Sequence, residues 1–240
     1  MRFLFIVLIF CSGNLYSQVN SHARTAGMGN TDGSIANLAV LDASSATLGY
    51  TKDMGFSNSA GFDALAIVST NVGNFGLTAQ QYVLGKGFKE GGIRLIYSRS
   101  LSARILTAFS VGYHQLSFVE NYAVSRITFD VAARYYLKPE WLVGIQADPN
   151  NLIVDMSYMF DKKVLLGFES EYDWRYGFDF RTGLEYAIIH WVWLRAGVSI
   201  NHFKQFAGIG FSYKNVGLDL SLAHHPKMGY SSYISLNYVF

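Results

Sequence analysis

Charge is scarce in this chain. Only 15% of its 240 residues are Asp, Glu, Lys or Arg, against about 25% in an ordinary soluble domain. Cysteine is nearly absent. The single Cys11 lies in the apolar N-terminal stretch, so the chain from about Gln18 onward can form no disulfide and no thiolate metal site. Proline occurs only 3 times. After the first residues no long apolar run appears, which excludes a transmembrane helix of about 20 residues. No basic stretch is present and the net charge is +2, which leaves no electrostatic footprint for nucleic acid. Yet half of the residues are apolar and 16% are aromatic. That combination is the composition of alternating strands facing lipid.

The N-terminus carries an export signal. Arg2 supplies the positive region, Phe3 to Phe10 the short apolar region, and Leu15-Tyr16-Ser17 a cleavage site before Gln18. We therefore expect a signal peptide over residues 1–17. Phe10 stands where lipid attachment at Cys11 would need a small residue.

The C-terminus is the second export mark. Ile234, Leu236, Tyr238 and Phe240 fall on one face of an extended strand, and Tyr233, Ser235, Asn237 and Val239 on the other. A bare amphipathic strand is an aggregation hazard in water; a barrel closed in lipid removes the edge. The segment also resembles the C-terminal signal read by the outer-membrane assembly machinery, which makes Ile234, Leu236, Tyr238 and Phe240 the candidate assembly residues.

From residue 46 on, alternating runs of about ten residues are separated by short polar or glycine-bearing turns. The pattern predicts an all-β fold: a transmembrane, antiparallel, up-and-down β-barrel of about fourteen strands, or twelve if a pair merges. It would occupy residues 46–240. Residues 18–45 read differently. Gly33 to Ser44 would form a short helix with Ile35, Leu38 and Leu41 on one face. Such apolar content suits a plug in the lumen better than a solvated leader. If the last strand ends in the periplasm, both termini lie there and the protein resides in the bacterial outer membrane. The outer loops come out short, which leaves little surface for receptor or adhesin specificity.

Alternation assigns the candidate lumen network: Arg94, Arg126, Asp130, Arg134, Glu169, Glu171, Asp179, Arg181, Glu185, Arg195 and Asp219. Its mixed signs predict ion pairs between neighbouring strands rather than the single-sign ring of a selective ion pore. Paired carboxylates such as Glu169 and Glu171 could serve acid–base chemistry, but a satisfied network is the simpler reading. His224 and His225 with Ser231 and Ser232 would be the parts of a membrane hydrolase; no third orienting residue accompanies them. His190 falls at the opposite end from His202, His224 and His225, so the four cannot share a metal. No catalytic residue, metal site or cofactor is expected. Inward aromatics at mid-strand are few, Trp193 and Tyr233 being the clear cases, which counts against a lipid tunnel. Small residues at Ala207 and Gly208 suggest a close partner contact on the lipid face.

The stretch Ala23-Arg24-Thr25-Ala26-Gly27-Met28-Gly29-Asn30 resembles the opening motif of FadL-like and PorV/PorQ-like outer-membrane barrels. Ala207 to Phe211, Gly217 to Leu220 and the final strand are similar to the same group in layout. Arg24, Gly27, Met28 and Gly29 are the plug-motif residues this resemblance singles out. The Asn-Pro-Ala segment usual in the group is replaced by Asp42-Ala43-Ser44-Ser45-Ala46. The resemblance implies a non-enzymatic accessory subunit of an outer-membrane protein secretion machine of the type IX kind. Its partners would be outer-membrane lipid, the assembly machinery during biogenesis, and a larger outer-membrane or periplasmic protein. The alternative it implies is a FadL-like channel for hydrophobic small molecules. A membrane-embedded lipid hydrolase is the third reading.

Overall fold

The computed structural model describes residues 22–53, 59–85, 87–118, 122–201 and 203–240. The expected signal peptide, residues 1–17, lies outside the described residues, as does His202. The chain opens with α1 (His22–Gly27) and a 3₁₀ helix (Ile35–Val40). Fourteen strands follow: β1 (Ser45–Asp53), β2 (Ser59–Thr70), β3 (Gly73–Leu84), β4 (Phe88–Ser102), β5 (Ile105–Phe118), β6 (Tyr122–Lys138), β7 (Trp141–Ala147), β8 (Asn151–Phe160), β9 (Val164–Asp173), β10 (Gly177–Ile189), β11 (Val192–Ser199), β12 (Lys204–Tyr213), β13 (Val216–His225) and β14 (Gly229–Val239). Each pairs antiparallel with its sequence neighbours, and β14 closes on β1. The closed sheet has no end strand, which is the condition for a sheet in lipid.

Closure follows from alternation. On β14, Ile234, Leu236 and Tyr238 point outward, while Ser235 and Asn237 are buried inside. On β10, Phe178, Phe180, Leu184 and Tyr186 are exposed, whereas Asp179 and Glu185 are buried. A sheet that turns its large apolar side chains out and its charges in is stable only with hydrocarbon outside. Among the described residues no helix is long and apolar enough to cross a membrane.

Short turns at 71–72, 103–104, 139–140, 161–163, 190–191 and 214–215 lie at one end. The C-terminus shares that end, since the Phe240 amide donates to the Ser44 carbonyl at 2.9 Å. Asp161 and Lys162 both take positive φ, 47° and 54°, as tight strand connections require.

The barrel is not a uniform cylinder. β4, β5 and β6 run 15, 14 and 17 residues, but β7 only 7. β7 pairs with β6 only from Val131 downward, so among the described residues Tyr122–Asp130 of β6 have no partner strand on that side. At the top of these long strands the alternation inverts. Phe88, Leu116, Phe118, Tyr122 and Val124 take the inward parity, and Lys89, Gln115, Ser117 and Ser125 the outward one.

Candidate functional site

The lumen contains residues 22–41. The 3₁₀ helix is started by Ser34, whose hydroxyl accepts from the Ala36 amide, a standard N-cap bond. It buries Ile35, Ala36 and Leu38 against Ile67, Ile96, Leu106, Ala108 and Ala132 of the inner wall. Polar wall residues satisfy its carbonyls. Asn74 donates to Leu38 and Leu41 at 2.6 and 2.7 Å, Ser69 to Leu41 at 3.1 Å, and Ser100 to Ala39 at 3.0 Å. This half of the plug therefore has a small apolar core of its own inside a membrane barrel.

The other half sits on glycine. Gly167, Gly183 and Gly197 are neighbours in register on β9, β10 and β11, all with inward parity. A Cβ on Gly183 would run into the Met28 carbonyl, one on Gly197 into the Gly29 amide, and one on Gly167 into the Thr31 hydroxyl. Gly208 faces Gly27 in the same way, its Cβ position lying 3.2 Å from the Gly27 Cα. This corrects the sequence reading of Ala207 and Gly208 as a joint lipid-facing pair: adjacent residues on a strand face opposite sides, and Gly208 is the inward one. Gly29 itself needs φ +72°, a region open to glycine at little cost. The Gly-Met-Gly stretch is thus a backbone-on-backbone contact with the wall.

Charge completes the attachment. Arg24 donates from Nε and Nη2 to Glu185 at 3.0 and 3.1 Å, and from Nη1 to Asp32 at 3.3 Å. Arg195 shares Glu185 at 2.6 Å and reaches Asp219 at 2.7 Å. On the far side Arg134 holds Asp155, Asp32 at 2.9 Å and Ser157 at 2.9 Å, and also donates to Asn37. Asp32 therefore joins two arginine clusters through the plug. Ser235 accepts from the Ala23 amide at 3.0 Å, and Ser221 donates to the Ala23 carbonyl.

All the candidate lumen residues but Arg126 fall in three places. Arg134, Glu185, Arg195 and Asp219 surround the plug and are nearly or fully buried. Arg181 gathers Glu169 at 2.9 Å, Asp179 at 3.1 Å and Glu171. Arg94 pairs with Asp130 at 3.4 Å, and Asp130 also accepts from Ser110. Arg126 is exposed and makes no ion pair among the described residues. Three partners escaped the sequence reading: Asp32, Asn37 and Asp155. Asp155 alternates between Val154 and Met156, so strand periodicity carries its signal. Asp32 and Asn37 lie in irregular chain, where no period marks them.

The hydrolase parts do not assemble. Ser231 points inward and donates to Asp53, which also accepts from Tyr82. His224 points outward against Tyr230, with ring centres 4.7 Å apart. Ser232 donates to the Lys52 carbonyl at 3.4 Å. His225 Nδ1 accepts from the Lys227 and Met228 amides at 3.1 and 3.2 Å, which makes it a loop cap. Among the described residues no group of three or more His, Cys, Asp or Glu is arranged to hold a metal. Trp193 is buried inside, and Tyr233 meets His22 of α1 at 5.4 Å. Phe206 is a further buried inward aromatic.

Solved structures share this architecture. The CymD monoaromatic hydrocarbon channel superposes with a TM-score of 0.72 at 12% identity, over 94% of this chain and 99% of that one. The Pseudomonas putida toluene transporter TodX gives 0.69 at 10% identity, over 92% and 98%. The Acinetobacter baumannii outer membrane protein Omp33 gives 0.57 at 8% identity, over 82% and 96%. At such identities the likeness is one of fold. No family model matches the chain, and no curated protein matches it.

Proposed function

We propose that the chain is an outer-membrane channel for small hydrophobic molecules. This is the alternative reading of the sequence, and it displaces the secretion subunit as the better supported one. The observation that carries it is the unpaired upper edge of β6, Tyr122–Asp130, beside the short β7. The plug occupies the lower and middle lumen, so a solute in the upper cup has the seam between β6 and β7 as its lateral way out. An apolar solute gains by entering lipid there and a polar one does not. The inward Phe88, Leu116, Phe118 and Val124 turn an apolar face over the mouth, which suits capture of the same class of molecule. The fold likeness to CymD and TodX agrees with this reading.

The test is uptake of a radiolabelled monoaromatic hydrocarbon by cells with and without the protein. Faster uptake in expressing cells, reduced by Phe118→Asp, is expected. Equal uptake with and without the protein would remove the proposal. We place the barrel in the outer membrane with both termini periplasmic, a placement tested by protease accessibility in intact and permeabilised cells.

A second reading, the accessory barrel of a secretion machine, draws on the plug's ion pairs and the short outer loops. A stoichiometric large partner in a mild-detergent pull-down from native membranes would favour it. A lone barrel would leave the channel.

A further inference from the structure

The outer wall of β1 to β5 carries a cavity of about 710 Å³. Register explains it. One cross-strand row on the lipid face reads Leu48, Ala64, Ala79, Ile93 and Tyr113. Two alanines in the middle of bulky neighbours make a trough. The row above places Phe62 on one side and Gly91 on the other, with the Gln81 and Gln115 amides between and beyond them. The next row up holds Lys89 and Ser117. The cavity lies on the outside of the wall: most of its lining has outward parity, and the inward-parity residues that border it, Gly49, Asp63, Gln80, Glu90 and Gly92, lie between the outward rows. Of the outward residues, Leu48, Phe62 and Ile93 are 62%, 57% and 56% exposed.

The upper end of the trough is cationic. Its two lining carboxylates, Asp63 and Glu90, have inward parity. The Asp63 oxygens lie over Gly49, and Glu90 approaches His114 at 3.9 Å. Lys89 is exposed and makes no ion pair among the described residues.

We propose that this trough binds an anionic phospholipid. One acyl chain lies over Ala64 and Ala79, between Leu48 and Phe62 on one side and Ile93 and Tyr113 on the other. The phosphate is held by the Lys89 ammonium with the Gln115 amide and the Ser117 hydroxyl. The site is distinct from the channel's mouth, because it lies on the lipid face of β1 to β5, one strand removed from the seam between β6 and β7. Selectivity has to come from the headgroup. An acyl chain gains little over bulk lipid by contacting an apolar wall, since lipid tails are as apolar as leucine. A basic residue at the membrane surface supports a preference of about fivefold for an anionic headgroup.

The experiment is native mass spectrometry of the full barrel released from neutral detergent. The probes are phosphatidylglycerol and diacylglycerol with the same acyl chains, supplied in equal amounts. Wild type is expected to retain phosphatidylglycerol about fivefold over diacylglycerol. Lys89→Glu should abolish the preference, Lys214→Glu at the other end should leave it intact, and Ala79→Trp should lower retention of both lipids. Equal retention by wild type, or a preference that survives Lys89→Glu, overturns the proposal, as does a co-purifying protein on this face with no lipid retained. Folding of each variant is checked by its heat-dependent gel mobility. Should Lys89→Glu fail to fold, the wild-type preference is read at low and high salt. Loss of the preference at high salt supports the lysine–phosphate contact, and its persistence overturns it.

Discussion

Arg24 and Glu185 stand 161 positions apart in the chain and meet inside the barrel through two parallel hydrogen bonds of 3.0 and 3.1 Å. The paired geometry is the strong form of an arginine–carboxylate contact. Removing Arg24 takes away its bonds to Glu185 and Asp32 together, and a hydrogen bond to a charged group contributes about 1.5–3 kcal/mol. A helix as short as His22–Gly27 has no stability of its own to resist that loss. Arg24→Ala should therefore free the plug while the barrel persists, since Glu185 keeps Arg195. Limited proteolysis of membranes checks this: the segment around Thr25 should become cleavable in the variant and stay protected in wild type. Arg24→Lys keeps the charge but not the fork and should fall between them. Equal protection in Arg24→Ala would show that the glycine contact alone holds the plug.

The glycine track gives a second, sterically based prediction. Valine is a good strand former, so Gly197→Val should leave β11 in the barrel. Its side chain nevertheless needs the space of the Met28–Gly29 peptide. The variant should keep the heat-dependent gel shift of a folded barrel and conduct ions in a planar bilayer more than wild type does. Gly91→Val, with outward parity, should conduct as wild type does. A Gly197→Val barrel that conducts like wild type would mean that the plug shifts without leaving.

The strands were legible because lipid enforces a strict rule on both faces. A segment such as Gly177–Ile189 alternates Phe, Leu and Tyr with Asp, Arg and Glu, and a one-residue slip in pairing would turn the charges to the hydrocarbon. The same rule reaches the wall half of the lumen charges, Glu185, Arg195 and Asp219 among them. It reaches neither Asp32 nor Asn37, whose positions depend on where an irregular segment meets a distant wall. Nor could alternation expose the short β7 beside the long β6. That mismatch is a matter of stagger between strands, and each strand looks regular by itself.

Asp32 links the two arginine clusters, so Arg24 and Arg134 should be energetically coupled through it. In a double-mutant cycle of Arg24→Ala and Arg134→Ala, the plug-opening free energies should depart from additivity by about 0.5–3 kcal/mol. The quantity is read from hydrogen exchange of plug amides. Asp32→Asn should reduce the coupling. Because these groups are buried, raising the salt from about 0.15 to about 1 M should leave plug protection nearly unchanged. A strong salt dependence would place the pairs in contact with bulk water.

Depth in the membrane provides the last prediction. Leu236 lies on the outer face of β14, in register with Leu48 and Leu218, and is 49% exposed. Arginine at a midplane position of a barrel's lipid face costs about 2–4 kcal/mol, and near the rim about 0–1 kcal/mol. Leu236→Arg should therefore lower the denaturant midpoint of the barrel in bilayers by an amount in the first range. Tyr230→Arg, at the upper end of the same strand, should fall in the second. Both positions are outward, so strand propensity and lumen contacts are matched and depth is the variable. If the two arginines cost the same, the hydrocarbon belt is not centred on the row of Leu48, Leu218 and Leu236. The level of the trough on β1 to β5 would then have to be moved with it, since Leu48 belongs to both.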